Sequence, residues 1–255
     1  MPFQKIESEK LASAVVRQIE DLILQGILRP GERLPSEREL SERLGVSRPS
    51  LREAIAELQN AGLLCTKAGS GIFVADVLGS AFSPALIRLF SSNEQALFDY
   101  ISFRRDLEGL AAERAAICGS DTDLKVINTL FGQMEAAHAK RNPSEEAQLD
   151  AKFHMAIIEA SHNVIMIHMM RAMFELLAEG VFFNRAIMFR NRATRGQLLE
   201  QHRAMNEALQ LRDPIAARAA IASHMDFVDH EMTAMRRAER NEATARLRLS
   251  HSGEH

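Results

Sequence analysis

The stretch LRPGERLPSERELSERLGVSRPSLREAIAELQNAGLL, residues 28–64, decides the fold of the first third of the chain. Pro35 and Ser36 open a short segment that Gly45 closes, because glycine takes the left-handed conformation that ends a helix. That reads as a helix over 36–44. A second helix over 48–60 follows, with Ser47 as its N-cap and Asn60, Ala61 and Gly62 ending it. Pro49 falls in the first turn, where a missing N–H costs little. Leu51, Ala54, Ile55 and Leu58 recur three and four apart and form the inward stripe. Upstream, residues 9–25 read as a helix ending at Gly26. Downstream, LLCTK and GIFV are short apolar runs around a glycine turn, which predicts a β-hairpin. Helix, helix, turn, helix, hairpin is a winged helix-turn-helix, whose third helix lies in the major groove of DNA.

The chemistry of that reading rests on local charge. Residues 1–78 hold ten Lys and Arg against eleven Asp and Glu, and the whole chain has a net charge of −3. DNA binding therefore needs a local patch. Residues 43–52 contain three arginines and no acid. Arg48 and Arg52 stand one turn apart beside the inward stripe, and a guanidinium fork matches the two acceptors of guanine. Arg38 in the preceding helix is placed to clamp a phosphate. The N–H groups of Ser47 and Ser50 offer the same at a helix N-terminus. In the wing, Lys67 and the Gly69–Ser70–Gly71 turn let backbone approach sugar and phosphate. The competing reading is that these are ordinary solvated charges.

The rest of the chain changes character. Six of the thirteen glycines fall before residue 75, and beyond about 94 the text becomes long segments with helical periodicity. Helices are expected at 94–118, 121–141, 144–161, 163–190, 191–211 and 214–238, the fourth broken near Gly180, with Asp121 and Asp213 as N-caps. Aromatic content is only 5% with no Trp, which disfavours a sheet-rich fold. The expected architecture is mainly α: a winged helix-turn-helix domain at 8–76, a linker at 77–92, an antiparallel helical bundle at 93–238 and a frayed polar tail at 239–255. No apolar run has the length of a membrane span, and the opening MPFQKIESEK lacks a secretory signal. The two cysteines, Cys65 and Cys118, do not make a disulfide framework, so a cytoplasmic location is expected.

Within the bundle, Asp150 and His154 stand four apart on one helix face. His202 lies on a stripe with Leu198, Met205 and Leu209, and His224 on one with Ala217, Ile221 and Val228. Three helices thus each turn a histidine inward. One divalent ion would satisfy all four groups, and three histidines with one aspartate suit zinc, nickel or a similar metal. The alternative is that each histidine is hydrogen-bonded separately in the core. Asp226 and His230 share the spacing, but Ser223 and Thr233 at the same pitch mark a solvated face. Met166, Met169, Met170 and Met173 read as core or dimer filling.

Residues 10–75 resemble the DNA-binding domain of the GntR family of bacterial transcription regulators, through the stretch quoted above and the wing KAGSGIFV. In the FadR branch, the resemblance implies operator contacts by Arg38, Arg48 and Arg52, with the wing turn at Gly69 to Gly71 entering the minor groove. Residues 93–235 resemble the FCD domain of FadR-type regulators, through AQLDAKFHMAIIEASHN, EQHRAMNEAL and AARAAIASHM. The resemblance implies metal ligation by Asp150, His154, His202 and His224. It also implies an effector carboxylate paired with Arg104 of FRRDLEG, where a plain Arg104–Glu108 ion pair is the alternative. Asn163 matches a family position that caps the next helix. The segments SPALIRLFSSNEQALFDYISFRRDLEG and EASHN are most similar to lactate-, pyruvate- and glycolate-responsive members.

These readings converge on a homodimeric, ligand-responsive regulator, a repressor of small-acid metabolism with a pseudo-palindromic operator and no membrane association. It is not expected to be an enzyme. Two rivals stand beside it: a metal-dependent enzyme acting on small acids, against which no HExxH-like base is visible, and an architectural DNA-binding protein with structural histidines.

Overall fold

A computed structural model describes residues 11–67, 69–76, 83–178, 188–189 and 192–252. The chain divides into two compact units, Met1–Ser83 and Pro84–His255.

In the first unit, α1 (Leu11–Leu24), α2 (Glu37–Leu44) and α3 (Arg48–Asn60) enclose one apolar core. Val15, Val16 and Ile19 of α1 pack with Leu51, Ala54, Ile55 and Leu58 of α3, the stripe expected from periodicity. Ser36 caps α2 by accepting from the Glu39 N–H, and Gly45 ends it at φ 66°. Its N–H reaches back to the carbonyls of Ser41 and Glu42, which would otherwise be orphaned. Ser47 caps α3 by accepting from the Ser50 N–H. Strands β1 (Leu64–Lys67) and β2 (Gly71–Val74) pair antiparallel, Leu64 opposite Val74 and Lys67 opposite Gly71. The segment before α2 adds an isolated antiparallel bridge to β2: Arg33 pairs with Phe73, and the Leu34 N–H donates to the Ile72 carbonyl. The sequence pattern showed only the hairpin, since a single bridge leaves no alternation to read.

The second unit is all helical: α4 (Pro84–Ser92), α5 (Glu94–Cys118), α6 (Asp121–Lys140), α7 (Pro143–Ala160), α8 (Val164–Ala178), α9 (Arg192–Gln210) and α10 (Pro214–Ser252). The span 77–92 was expected to be linker, but residues 84–92 form α4 and belong to the helical unit. Pro84 takes the first helical position, where its fixed φ is favourable. Ser120, not Asp121, is the N-cap of α6; its hydroxyl accepts from the Asp123 N–H while the Asp123 carboxylate accepts from the Ser120 N–H. Asp213 caps α10, accepting from the Ala216 N–H at 2.9 Å. The expected break near Gly180 lies outside the described residues. The expected frayed tail is helical as far as Ser252. The segment after 238 has neither Pro nor Gly until Gly253, and it is rich in Ala, Arg, Glu and Leu, all good helix formers. An Arg246–Glu242 pair at 2.8 Å adds local support.

The bundle core positions the site. Helix α10 lies along α5 and α9, and α7 lies along α5 and α6. Phe153, Ile157, Leu198, Met205, Leu209, Ile221 and Met225 fill the space among them, all fully or almost fully buried.

Candidate functional site

Four helices bring charged and ring side chains into this apolar interior. Helix α5 supplies Arg104 and Glu108, α7 Asp150 and His154, α9 His202 and α10 His224. All six are buried. The ligand atoms of Asp150, His154, His202 and His224 lie within 4.8 Å of one another. His202 Nε2 is 3.1 Å from Asp150 Oδ1 and 3.2 Å from His154 Nε2, and His154 Nε2 is 3.7 Å from Asp150 Oδ1. Donors on opposite sides of one zinc-like ion stand about 4 Å apart, twice a metal–nitrogen bond. The separations among Asp150, His154 and His202 fall within that span, and His224 lies close beside them.

The hydrogen bonds behind the rings aim them. His154 Nδ1 donates to Glu108 Oε2 at 2.6 Å, His202 Nδ1 to the Leu198 carbonyl at 2.6 Å, and His224 Nδ1 to Gln201 Oε1 at 2.9 Å. With each Nδ1 carrying the proton, each Nε2 is left as a lone pair. Two such lone pairs at 3.2 Å, from His154 and His202, repel unless a cation or proton lies between them. This is the observation that fits a divalent metal. Separate core hydrogen bonding, the bland alternative, accounts for the Nδ1 atoms and needs a proton held between the Nε2 atoms of His154 and His202.

Electrostatics agree with that arrangement. Burial pushes the His154 imidazole below its usual range, against the pull of Glu108 and Asp150. Burial and then the neighbouring rings of His202 and His154 push His224 well below it. Both shifts favour the neutral imidazole, the form in which a ring nitrogen can offer a lone pair. Burial works against ionisation of Glu108, but Arg104 and His154 outweigh it and hold its carboxyl down to about 2. Burial likewise opposes the Arg104 cation, and Glu108 beside it keeps the guanidinium charged above its ordinary range.

Arg104 Nε donates to Glu108 Oε1 at 2.5 Å, so the ion pair weighed from the sequence is present. It is not the whole role of the side chain. Arg104 Nη2 is buried and meets no hydrogen-bond acceptor among the described residues. Arg104 also lines a cavity of about 20 Å³ together with Asp150, His224, Leu198, Val228, Met188 and Phe189. A buried guanidinium N–H without an acceptor, beside potential metal ligands, is suited to a carboxylate.

Asp226 and His230 do not join this centre; Asp226 is exposed and pairs with Arg105 at 2.7 Å. Asn163 caps α8, accepting from the N–H groups of Ile165 and Met166 at 3.1 Å. Sequence reasoning missed Gln201 and the anchoring role of Glu108. Glu108 had been noticed only as the partner of Arg104. Gln201 directly precedes His202, but nothing in one sequence says that it orients a histidine on another helix.

In the first unit, Arg38, Arg48, Arg52, Lys67, Gly69 and Ser70 are exposed. Arg52 Nε pairs with Glu37 Oε2 at 2.8 Å across α2 and α3, a surface pair that a phosphate or base can displace. Lys67 Nζ stands 4.6 Å from the centre of the Phe73 ring. The Ser50 N–H, read as a phosphate donor, is engaged by the Ser47 hydroxyl at 3.3 Å. Arg33 was not singled out from the sequence. It lines a groove with Glu37, Arg52, Gln59, Thr66 and Gly71. At Gly71, φ is 103°, a backbone conformation that favours glycine, and a Cβ there would also come within 3.2 Å of the flexible Arg33 side chain.

Fold and site together define a DNA-binding transcription regulator with a second, all-helical domain. Residues 11–74 match the gntR family of bacterial regulatory proteins, and residues 99–227 match the FCD domain. The chain is 34% identical over 88% of its length to the Glc operon transcriptional activator of Escherichia coli, covering 89% of that protein. It is 32% identical over 96% of its length to an E. coli protein assigned to regulation of an L-lactate dehydrogenase operon, covering 94% of it. Among solved structures, Streptococcus agalactiae GntR superposes with a TM-score of 0.52 at 26% identity, over 86% of this chain and 99% of that one. The chain belongs to the GntR family, in its FCD-containing, FadR-type branch. These relatives are regulators, not enzymes. Among the described residues no helix is long and apolar enough to cross a membrane.

Proposed function

We propose that this regulator senses a two- or three-carbon 2-hydroxy or 2-keto acid, such as glycolate, lactate or pyruvate, in the buried four-helix site, and that the acid alters its affinity for a pseudo-palindromic operator. The observation that carries the proposal is the pair of facing Nε2 lone pairs, beside a buried Arg104 N–H without an acceptor. Asp150, His154, His202 and His224 would hold a divalent metal such as zinc or nickel. When bound, such an ion supplies open positions for a carboxylate and its neighbouring oxygen. Arg104 pairs with the carboxylate through its free N–H, while Glu108 fixes both Arg104 and His154.

The cavity of about 20 Å³ has room for a water-sized guest. A two- or three-carbon acid must displace part of the wall, including Met188 and Phe189. An acid that binds one arrangement of the bundle better shifts the population toward it, and operator affinity changes reciprocally. In the first unit, Arg38, Arg48 and Arg52 read or clamp the operator, with Lys67 and the wing turn at Gly69 to Gly71 on the sugar–phosphate backbone. The functional unit is a cytoplasmic homodimer, whose two-fold symmetry the operator mirrors.

The names of the Glc-operon and lactate-operon relatives support the class of acid. Repression relieved by the acid is the proposed sign; the activator name of one relative makes the opposite sign the competing outcome. A thermal-shift screen of lactate, glycolate, pyruvate, malonate and sugar acids, with and without divalent metal, tests the reading. A small 2-hydroxy or 2-keto acid is expected to raise the melting temperature only when metal is present, by mass action. Stabilisation by none of these acids contradicts the proposal.

A further inference from the structure

We propose, building on the placement of α3 in the major groove, that the cleft between α3 and the wing seats one sugar–phosphate strand of the operator, and that Arg33 clamps a phosphate of that strand. In duplex DNA a single sugar–phosphate strand separates a major groove from the minor groove beside it. A head that puts α3 into one groove and the β1–β2 turn into the other must pass that strand between them. The first unit has a cleft of about 450 Å³ at that place. Arg52, Ile55 and Gln59 of α3 line one wall, and Thr66, Gly71 and Ile72 of the wing line the other. The three α3 residues stand three and four apart, so one side of the helix faces the cleft. Gln59 Nε2 donates to Thr66 Oγ1 at 2.6 Å, which ties α3 to β1 and helps hold the walls apart by a set distance. Residues 33–37 run from one wall to the other: Arg33 bridges Phe73 of β2, and Glu37 pairs with Arg52 of α3 at 2.8 Å.

The charges in the cleft select an anion, and Arg33 is the group left to meet it. Two arginines and one glutamate line the cleft. The glutamate is taken up by Arg52, and the exposed Arg33 guanidinium forms no ion pair among the described residues. The Arg33 backbone is held to β2 by the bridge to Phe73, and the Leu34 N–H donates to the Ile72 carbonyl beside it. Its side chain lies across Gly71: Nε and Nη2 are 3.2 and 3.4 Å from the place a Cβ would occupy. Glycine there leaves the guanidinium uncovered on the wing, where a strand entering the cleft meets it. A guanidinium without an internal partner gains charge-assisted hydrogen bonds from a phosphate. Arg33 stands outside α2 and α3, so it holds the strand and reads no base; contacts of that kind fix register and carry no sequence information.

Fluorescence anisotropy of the full-length protein tests this with two probes: a duplex that the protein selects from a random-sequence pool, and a duplex of equal length and unrelated sequence. Arg33→Ala is expected to weaken binding to both by a similar factor, roughly fivefold per head, the effect of losing one exposed charge pair. The slope of log affinity against log salt is expected to flatten by about 0.9 for each phosphate released. Arg33→Lys is expected to bind both duplexes nearly as wild type does, because a phosphate accepts a point charge. Arg52→Lys is expected to lose affinity for the selected duplex alone, because a base needs the planar fork. Unchanged affinity and salt slope in Arg33→Ala overturn the clamp, as does a loss confined to the selected duplex or one that lysine does not restore. If Arg33→Ala has no effect while Arg52→Ala weakens the selected duplex, the clamp alone fails. If neither has an effect, the placement of α3 fails with it. Arg33 is exposed, and equal melting temperatures of the variants separate a lost contact from a lost fold.

Discussion

Glu108 joins the two halves of the candidate site: one carboxylate oxygen lies 2.6 Å from His154 Nδ1, and the other accepts from Arg104 at 2.5 Å. The same anion that orients a candidate metal ligand therefore also orients the candidate carboxylate clamp. Glu108→Gln keeps the shape and removes the charge. It is expected to lower metal affinity about 10- to 100-fold, the usual cost of losing such a support. Competition with a chromogenic chelator measures this, and an unchanged affinity would show that Glu108 has no part in the site.

Loss of two ligands is a harsher change. The His202→Ala, His224→Ala double variant is expected to fall from about one bound ion per chain to background, because two of four donors cannot close a sphere. Elemental analysis of protein purified without added metal reads the outcome. Full occupancy in the variant would place the ion elsewhere.

Arg104 is best tested with its charge retained. Removing the side chain would strand the buried Glu108 anion, a destabilising change in its own right. Arg104→Lys preserves the cation and loses the planar fork. It is expected to weaken binding of the small acid at least tenfold while metal content stays constant. Calorimetry that finds equal acid affinity in the two proteins would locate the carboxylate on other groups.

The reading head can be weakened alone. Arg52 is exposed, and its pair with Glu37 is a surface contact worth about 0–1 kcal/mol. Arg52→Ala is therefore expected to leave the fold intact and to cost about 1–3 kcal/mol in specific operator binding if the guanidinium reads a base. A gel-shift titration on the native operator measures it, and undiminished affinity would remove Arg52 from the interface.

The buried imidazoles predict a pH dependence. Burial lowers the pKa of both His154 and His224 in the folded chain. The unfolded chain protonates these residues below about 6.5, and the folded chain does so only at lower pH. Below about 6.5 the unfolded state therefore binds more protons, so stability of metal-free protein falls as pH drops from 7 to 5 and returns as pH rises. Glu108, held at about 2, stays ionised across this range and does not oppose the trend. Melting temperatures in chelator over that range check the sign; a flat or inverted profile contradicts neutral, buried histidines.

How much of this was legible beforehand follows from what kind of signal each feature leaves. The α3 stripe of Leu51, Ala54, Ile55 and Leu58 and the inward histidines at 154, 202 and 224 are periodic, and periodicity survives in one sequence. Caps at Ser47 and Asp213 were legible because few residue types serve there, and the cap at Asn163 came only through the family resemblance. Ser120 was misread in favour of Asp121, although the Ser120–Asp123 spacing of a capping box was present. Helix α4 was taken for linker, yet Pro84 suits a first turn. The helical tail was missed because its support is propensity, with almost no buried face. Gln201 and the support role of Glu108 depend on which helices become neighbours, and spacing along one helix carries no such information.

Operator affinity measured by fluorescence anisotropy, with and without the acid found by thermal shift and with and without chelator, tests the central claim most directly. The account predicts that the acid changes affinity by about 5- to 150-fold, the usual span of allosteric coupling, in metal-loaded protein. It predicts no change after chelation or in the His202→Ala, His224→Ala variant. An acid effect of equal size without metal, or no effect of any small acid on metal-loaded protein, would contradict it.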